Sequence, residues 1–521
     1  MTTSSRQSHS AATQAGQMGA DQMASGSVGV SSDSASFTSW RAQPRGLSTL
    51  FFVELWERFS YYGMRALLTL FMVAPVATGG LGFSIADAAL LYGNYTMAVY
   101  LLSIPGGFIA DKLLGAKNSV IWGGLIIAAG HFALAVPTLS GFYSGLILVA
   151  LGTGLFKPNI SALVGGLYKP DDPRRDAGFS IFYMGINIGA FIAPIITGFL
   201  AQSELFKSWL EHMGFDPAHS WHWGFGAAGV GMTVAIVWFL VQQRRLVGIG
   251  DREAPPRGAA LQAVAVLASC GLLLAALVAS DRPEFSFLQY LLVGLPMAAV
   301  IYFGASIDIS AQRVGAIFVF FIAGMVFWAA FEQAGLSIAL VADQLTDNNV
   351  AGMQIPSAWY QSLNPLFVML LAPLFAALWL RMGRRQPSTP IKFSVGLALL
   401  SASFLLMVPA AYLTATGQIS PLWLVGLFAL QTMGELCLSP VGLSAMTKLA
   451  PPRMVGLMLG VWFLGAAFGN KLAGILGTGF SSDDPAQLAQ FFLSIAAMTG
   501  ATAVAMLIAA PWVKKLMHGV R

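Results

Sequence analysis

Fourteen apolar runs, each about 20 residues or longer, follow one another along the chain, and that repetition leaves few folds open. They lie near 47–78, 84–111, 118–137, 141–167, 177–202, 222–243, 259–279, 286–306, 314–342, 357–381, 391–413, 420–447, 454–479 and 487–513. At about 1.5 Å per residue, one such run crosses the hydrocarbon layer of a bilayer as a helix. Composition agrees: 56% of residues are hydrophobic and 10% charged, against about 25% charged in a soluble protein. The expected fold class is an all-α integral membrane protein of 14 transmembrane helices, with the 521 residues forming one membrane body.

The loops alternate in charge. One set, with both termini, holds 22 of the basic residues, among them Lys112, Lys117, Lys169, Arg174, Arg175, Arg244, Arg245, Arg381, Arg385 and Lys448. The other set holds only Lys207 and Arg282, beside acids such as Glu204, Asp343 and Asp483. The basic set is therefore assigned to the cytoplasm, and an even span count puts both termini there. Spread over many short loops, the net charge of +5 does not point to nucleic acid. Cys270 and Cys437 are too few and isolated for a disulfide framework or a metal site. Residues 1–46, rich in Ser, Ala, Gln and Gly, read as a disordered cytoplasmic tail without the apolar core of a signal peptide, so the first hydrophobic helix is expected to stay in the mature chain.

Two short, basic, glycine-bearing connections split the spans: Gly107 to Lys117 after the second, and Ala377 to Arg385 after the tenth. Such a match is expected of two six-helix halves related by a repeat. The seventh and eighth spans carry almost no polar residue inside the membrane and read as a lipid-facing spacer pair. The resulting division is a first bundle over 47–245, a linker with two extra helices over 246–312, a second bundle over 313–516 and a tail over 517–521.

Inside this apolar frame sit four acids and four bases. Glu54, Glu57, Arg58, Tyr61, Tyr62 and Arg65 fall at i, i+3, i+4, i+7, i+8 and i+11 of the first helix, one stripe of roughly 140° at about 100° per residue. Lys157, Glu332, Glu435 and Lys471 complete the set. Unpaired, eight such charges would cost on the order of 20–28 kcal/mol, so they must pair, protonate or be hydrated. Counting depth along each helix places Glu332 level with Arg65 toward the outer side, and Lys157 and Glu435 near the middle. The expected inter-half pairs are Arg65–Glu332 (outer) and Lys157–Glu435 (inner), as gates; the plainer alternative is static glue. Lys471 reads as a tie in the neighbourhood of the helix bearing Glu435.

The same residues carry a signature. Glu54-x-x-Glu57-Arg58-Phe59-x-Tyr61-Tyr62-Gly63 resembles the ExxERFxYYG motif of the proton-dependent oligopeptide transporter family, within the major facilitator superfamily. Phe182-Tyr183-Met-Gly-Ile186-Asn187, Gly154-Leu-Phe-Lys157-Pro158-Asn159 and Gly434-Glu435-Leu-Cys-Leu-Ser439-Pro440 are similar to further motifs of that family, and the extra pair matches its bacterial members. Two departures stand out. Ala190-Phe191 replaces a commoner Ser-Leu, and Phe331 precedes Glu332 where some members have a second acid.

The resemblance implies the major facilitator fold, two six-helix bundles plus an inserted pair, and proton-coupled uptake of di- and tripeptides across a bacterial inner membrane. It assigns Arg58, Arg65 and Lys157 to the peptide carboxylate, and Glu435, Asn187 and Asn364 to its amino end and backbone. Tyr62, Tyr100, Trp328, Ser439 and Trp462 would line the pocket, although each aromatic alone reads equally as packing and each Asn as interhelical glue. The chemistry suits a zwitterion: guanidinium forks match a carboxylate, and a distant acid matches an ammonium. Proton coupling is expected at Glu54, Glu57 and Glu332, beside Arg58 and Lys157. No cofactor beyond the proton, no metal and a monomer are expected; His212, His219 and His222 read as a surface loop. A drug/proton antiporter and a transporter of another solute such as nitrate are the competing readings. An enzyme is disfavoured because no nucleophile–base pair or phosphate loop appears.

Overall fold

The computed structural model describes residues 39–517 apart from 170–171, 252–256, 280–310, 351 and 450–454. Most of the N-terminal tail, the apolar run 286–306 and the last four residues lie outside the described residues. Within them, thirteen long helices follow in order. They are α1 (Arg45–Val73), α2 (Ile85–Leu114), α3 (Ala116–Leu134), α4 (Leu139–Gly166), α5 (Arg175–Gln202), α6 (Ser220–Gln242) and α7 (Ala259–Ala279). Then come α8 (Ala311–Phe331), α9 (Leu363–Met382), α10 (Thr389–Leu413), α11 (Leu422–Leu449), α12 (Val455–Gly477) and α13 (Pro485–Leu516). Nine helices among the described residues are long and apolar enough to cross a membrane by length and composition alone. The charges of α1 keep it out of that set.

Local chemistry sets the helix ends. Ser84 and Thr138 accept the Asp87 and Gly141 amides to start α2 and α4, and Asp484 caps α13. The two basic turns matched in the sequence use one device: Gly115 (φ 79°) ends α2 and Gly383 (φ 48°) ends α9, in a region that favours glycine. Pro105 cannot donate to the Leu101 carbonyl, and α2 is interrupted at Leu102.

Helix α1 packs its apolar back against α5 and α6. A Cβ on Gly189 would come within 2.2 Å of the Leu55 carbonyl, so α5 needs glycine to lie this close. That contact turns the charged stripe of α1 away from its own bundle. α3 packs with α4 and α6, while α10 joins α11 and α13, and α8 joins α12 and α13. The two groups meet where α2 crosses α12 and α5 crosses α9. α7 lies outside the first group, against α4 and the end of α2, with Leu261 (74%) and Leu272 (73%) exposed as a lipid-facing helix requires.

One end of the seam between the groups is tightly bonded. At the end away from the basic loops, Gln202 of α5 donates to Ser357 Oγ (2.7 Å) and to Asp343 Oδ1 (3.2 Å) and accepts from Ala358 N (3.0 Å). Trp359 Nε1 donates to the Ile195 carbonyl (3.0 Å), and Ser362 Oγ to that of Phe191 (2.7 Å). One apolar core joins both groups at that end. A second core, with Leu47, Phe51, Phe156, Phe182 and Phe239, stays within the first group. The hydrogen bonds named above between the groups all lie at the end away from the basic loops.

At the end with the basic loops, the α4–α5 loop is pinned locally. Arg174 donates to both Asp172 oxygens (3.0 and 2.7 Å) and to the Ala42 carbonyl (3.0 Å). These hydrogen bonds hold the Asp172 carboxyl below its usual range. The contribution is therefore complete above the ordinary carboxylate pKa of about 4 and fades as pH falls through the lower folded value. Because the pair is half-buried at the surface and screened by solvent, Asp172→Asn should cost only about 0.5 kcal/mol near neutrality. A thermal melt at pH 7 and pH 3 checks this, and the variant's deficit should shrink at the lower pH.

Candidate functional site

The stripe of α1 faces the seam. Arg58 Nε lies 2.9 Å from Glu54 Oε1 and 2.5 Å from Glu57 Oε2, all three residues being at most 5% exposed. The angles are poor: Glu54 Oε2, Glu57 Oε1 and Arg58 Nη2 remain buried without a hydrogen-bond partner. Such a charged but unsatisfied triad has capacity left for a proton or an anionic group. Lys157 of α4 lies within Coulombic range of both carboxylates. Its Nζ sits 4.1 Å above the Tyr100 ring, a cation–π contact from α2.

Two turns further on, Arg65 reaches across the seam. Its Nη2 is 2.5 Å from Glu332 Oε2, and its Nε donates to Tyr92 OH at 2.6 Å. Its guanidinium also lies 5.9 Å from the Tyr62 ring centroid. Thr69 Oγ1 of α1 donates to the Gly335 carbonyl at 2.6 Å, and Gln361 donates to that of Ala334. The Arg65–Glu332 pair expected from depth counting is thus made, within the closed end of the seam.

On the opposite wall, Asn364 Nδ2 donates to Glu435 Oε2 (3.0 Å) and to Thr432 Oγ1 (3.1 Å), joining α9 to α11. The other expected pair is not made here: Lys157 and Glu435 form no ion pair, and each has a partner from its own group instead. Asn187 Nδ2 is turned back to the Tyr183 carbonyl of its own helix (3.0 Å). Ser439 is half-buried one turn beyond Glu435. Trp328 packs edge-on against Phe331 at 5.4 Å, its Nε1 buried without a partner. Trp462 is 5% exposed and sits inside the second group beside Phe393 and Gly442, where a Cβ would come within 2.2 Å of the indole. That is a packing position.

Two further residues support the Arg65–Glu332 pair, Tyr92 from across the seam and Gln333 from within the second group. Gln333 Nε2 donates to the Ala473 carbonyl of α12 (2.9 Å), tying the residue after Glu332 to the next helix. The run Tyr92-Gly-Asn94-Tyr95-Thr96 is an unusually polar stretch of an apolar span, and that was the available signal.

Cations Arg58, Arg65 and Lys157 thus belong to one side of the seam, and acids Glu332 and Glu435 to the other, with Arg65 and Glu332 joined across it. A two-bundle helical membrane body with such a seam defines a secondary transporter of the major facilitator type. The chain belongs to the POT family, whose profile matches residues 117–493. It is 39% identical to peptide transporter YePEPT of Yersinia enterocolitica over 506 residues, covering 92% of this chain and 96% of that protein. It is 40% identical to the di-/tripeptide transporter of Lactococcus lactis over 445 residues, covering 81% and 86%. A crystal structure of a mutant peptide transporter POT in complex with alafosfalin superimposes with a TM-score of 0.82 at 37% identity, covering 94% of this chain and all of that one.

Proposed function

We propose that this protein imports di- and tripeptides together with protons across a bacterial inner membrane, as a monomer working by alternating access. The observation that carries the substrate class is the opposition of Arg58, Arg65 and Lys157 to the Asn364–Glu435 pair. A peptide carboxylate suits the first set and its ammonium the second. Asn187 and Asn364 offer amide donors and acceptors that can serve a peptide backbone whatever its side chains are. Tyr62, Tyr100, Trp328 and Ser439 supply a wall tolerant of side-chain variety, with Trp462 supporting it from behind.

With the basic loops in the cytoplasm, the end of the seam held by Arg65 and Glu332 is the outer one. In this reading Glu332 takes a proton from outside, releases Arg65 and lets the outer seam part. The entering peptide carboxylate draws Arg58 and Lys157 away from Glu54 and Glu57, which take up protons from the same side. When the peptide leaves inward the cations return to these acids and their protons pass inward, and Glu332 gives its proton to the cleft as Arg65 pairs with it again. The competing solutes are separated by one experiment. Purified protein in liposomes with an imposed pH gradient should accumulate a labelled dipeptide and acidify the lumen when dipeptide is added. Alkalinisation would indicate antiport, and uptake of nitrate without dipeptide competition would indicate a simple anion carrier.

A further inference from the structure

The fourth intramembrane cation, Lys471 of α12, takes no part in the scheme above. It reaches across the seam, a contact the sequence did not suggest: its Nζ donates to Asn94 Oδ1 of α2. The two helices touch at that level. A Cβ on Gly93 would come within 2.9 Å of Gly474 Cα and 3.0 Å of the Asn470 carbonyl. From the other side, a Cβ on Gly474 would come within 2.6 Å of the Ala89 carbonyl, and Lys471 lies one turn from this crossing. The same helices are braced to the proton-bearing pair on either side, through Tyr92 beside Asn94 and through Gln333 on the Ala473 carbonyl.

We infer that Lys471 and Asn94 form a second outer clasp, a positioning pair that sets how readily the α2–α12 seam opens and so limits the return to the outward-facing state. A cation buried in lipid would ordinarily be replaced by an apolar residue unless it gains something there. What it gains here is a charge-assisted hydrogen bond that exists only while the glycine crossing is closed. When α2 and α12 part, water entering the cleft hydrates both groups, so the clasp opposes opening without trapping a bare charge. Unlike the Arg65–Glu332 pair, it carries no carboxylate.

The proposal rests on alternating access, and the test separates the two. Spin labels at Val76→Cys and Asp483→Cys, both exposed and on opposite sides of the closed seam, report the outer separation in a background with Cys270 and Cys437 replaced by alanine. Wild type should give a short distance that lengthens in part of the population at low pH. If no condition produces the longer distance, alternating access itself fails. Lys471→Met should raise the ratio of long to short by about tenfold, the size of one charge-assisted hydrogen bond. Asn94→Ala should do the same, and the double variant should add nothing further. Asn94→Asp, which turns the clasp into an ion pair, should shift the ratio the opposite way and slow counterflow. A wild-type distance change that is unaltered in Lys471→Met, or additive effects of Lys471→Met and Asn94→Ala, would overturn the clasp. So would Asn94→Asp and Lys471→Met moving the ratio in the same direction, since a packing role has no sign.

Discussion

Replacing Arg58 by lysine is expected to weaken peptide uptake by about 10–100-fold in apparent affinity, although the charge is retained. The guanidinium stands between two buried carboxylates, 2.9 Å from Glu54 and 2.5 Å from Glu57, and still presents an unpartnered Nη2. An ammonium is a single point charge and cannot span both acids while offering a planar fork to a third carboxylate. The loss of one charged hydrogen bond, about 1.5–3 kcal/mol, gives the stated range. Arg58→Ala should behave differently. It would strand two carboxylates in a site at most 5% exposed, and breaking a buried pair costs roughly 3–5 kcal/mol. That variant should melt earlier than Arg58→Lys. Concentration-dependent uptake with thermal melting measures both, and an unchanged apparent affinity in Arg58→Lys would remove Arg58 from the binding set.

Most of the machinery was legible in the sequence because charge inside an apolar span is too costly to be incidental. Helical spacing put Glu54, Glu57, Arg58 and Arg65 on one face, and counting depth along α1 and α8 paired Arg65 with Glu332 correctly. What was hidden was the choice between satisfying partners. Lys157 could meet a carboxylate or an aromatic face, and only the geometry shows it above Tyr100. Glu435 could meet a cation or an amide, and it accepts from Asn364. Neutral partners leave no mark in a search for opposite charges, which is also why Lys471 was not matched with Asn94. Trp462 fails to announce its direction for another reason: its slot is created by the missing side chain of Gly442, a residue twenty positions away.

Glu332→Gln is expected to abolish pH-driven accumulation while leaving peptide counterflow running. In the closed seam Glu332 Oε2 takes the Arg65 guanidinium at 2.5 Å and is approached by Tyr92 OH at 3.4 Å. Its environment is 2% exposed, so the carboxylate is held there by that pairing and little else. A glutamine is close in shape to the protonated acid and cannot change charge. The outer seam should then open without waiting for a proton, and the carrier should shuttle with peptide alone. A coupled proton crossing about 100 mV contributes roughly 2.3 kcal/mol, or about 50-fold accumulation. The variant should lose that factor and equilibrate its substrate. Arg65 would keep its bond to Tyr92, donated from Nε at 2.6 Å, so the helix should stay folded. Uphill uptake and counterflow measured on the same proteoliposomes decide the matter. Accumulation at the wild-type level would assign coupling to Glu54 and Glu57 alone, whereas loss of both activities would make Glu332 part of the gate's framework and not its proton switch.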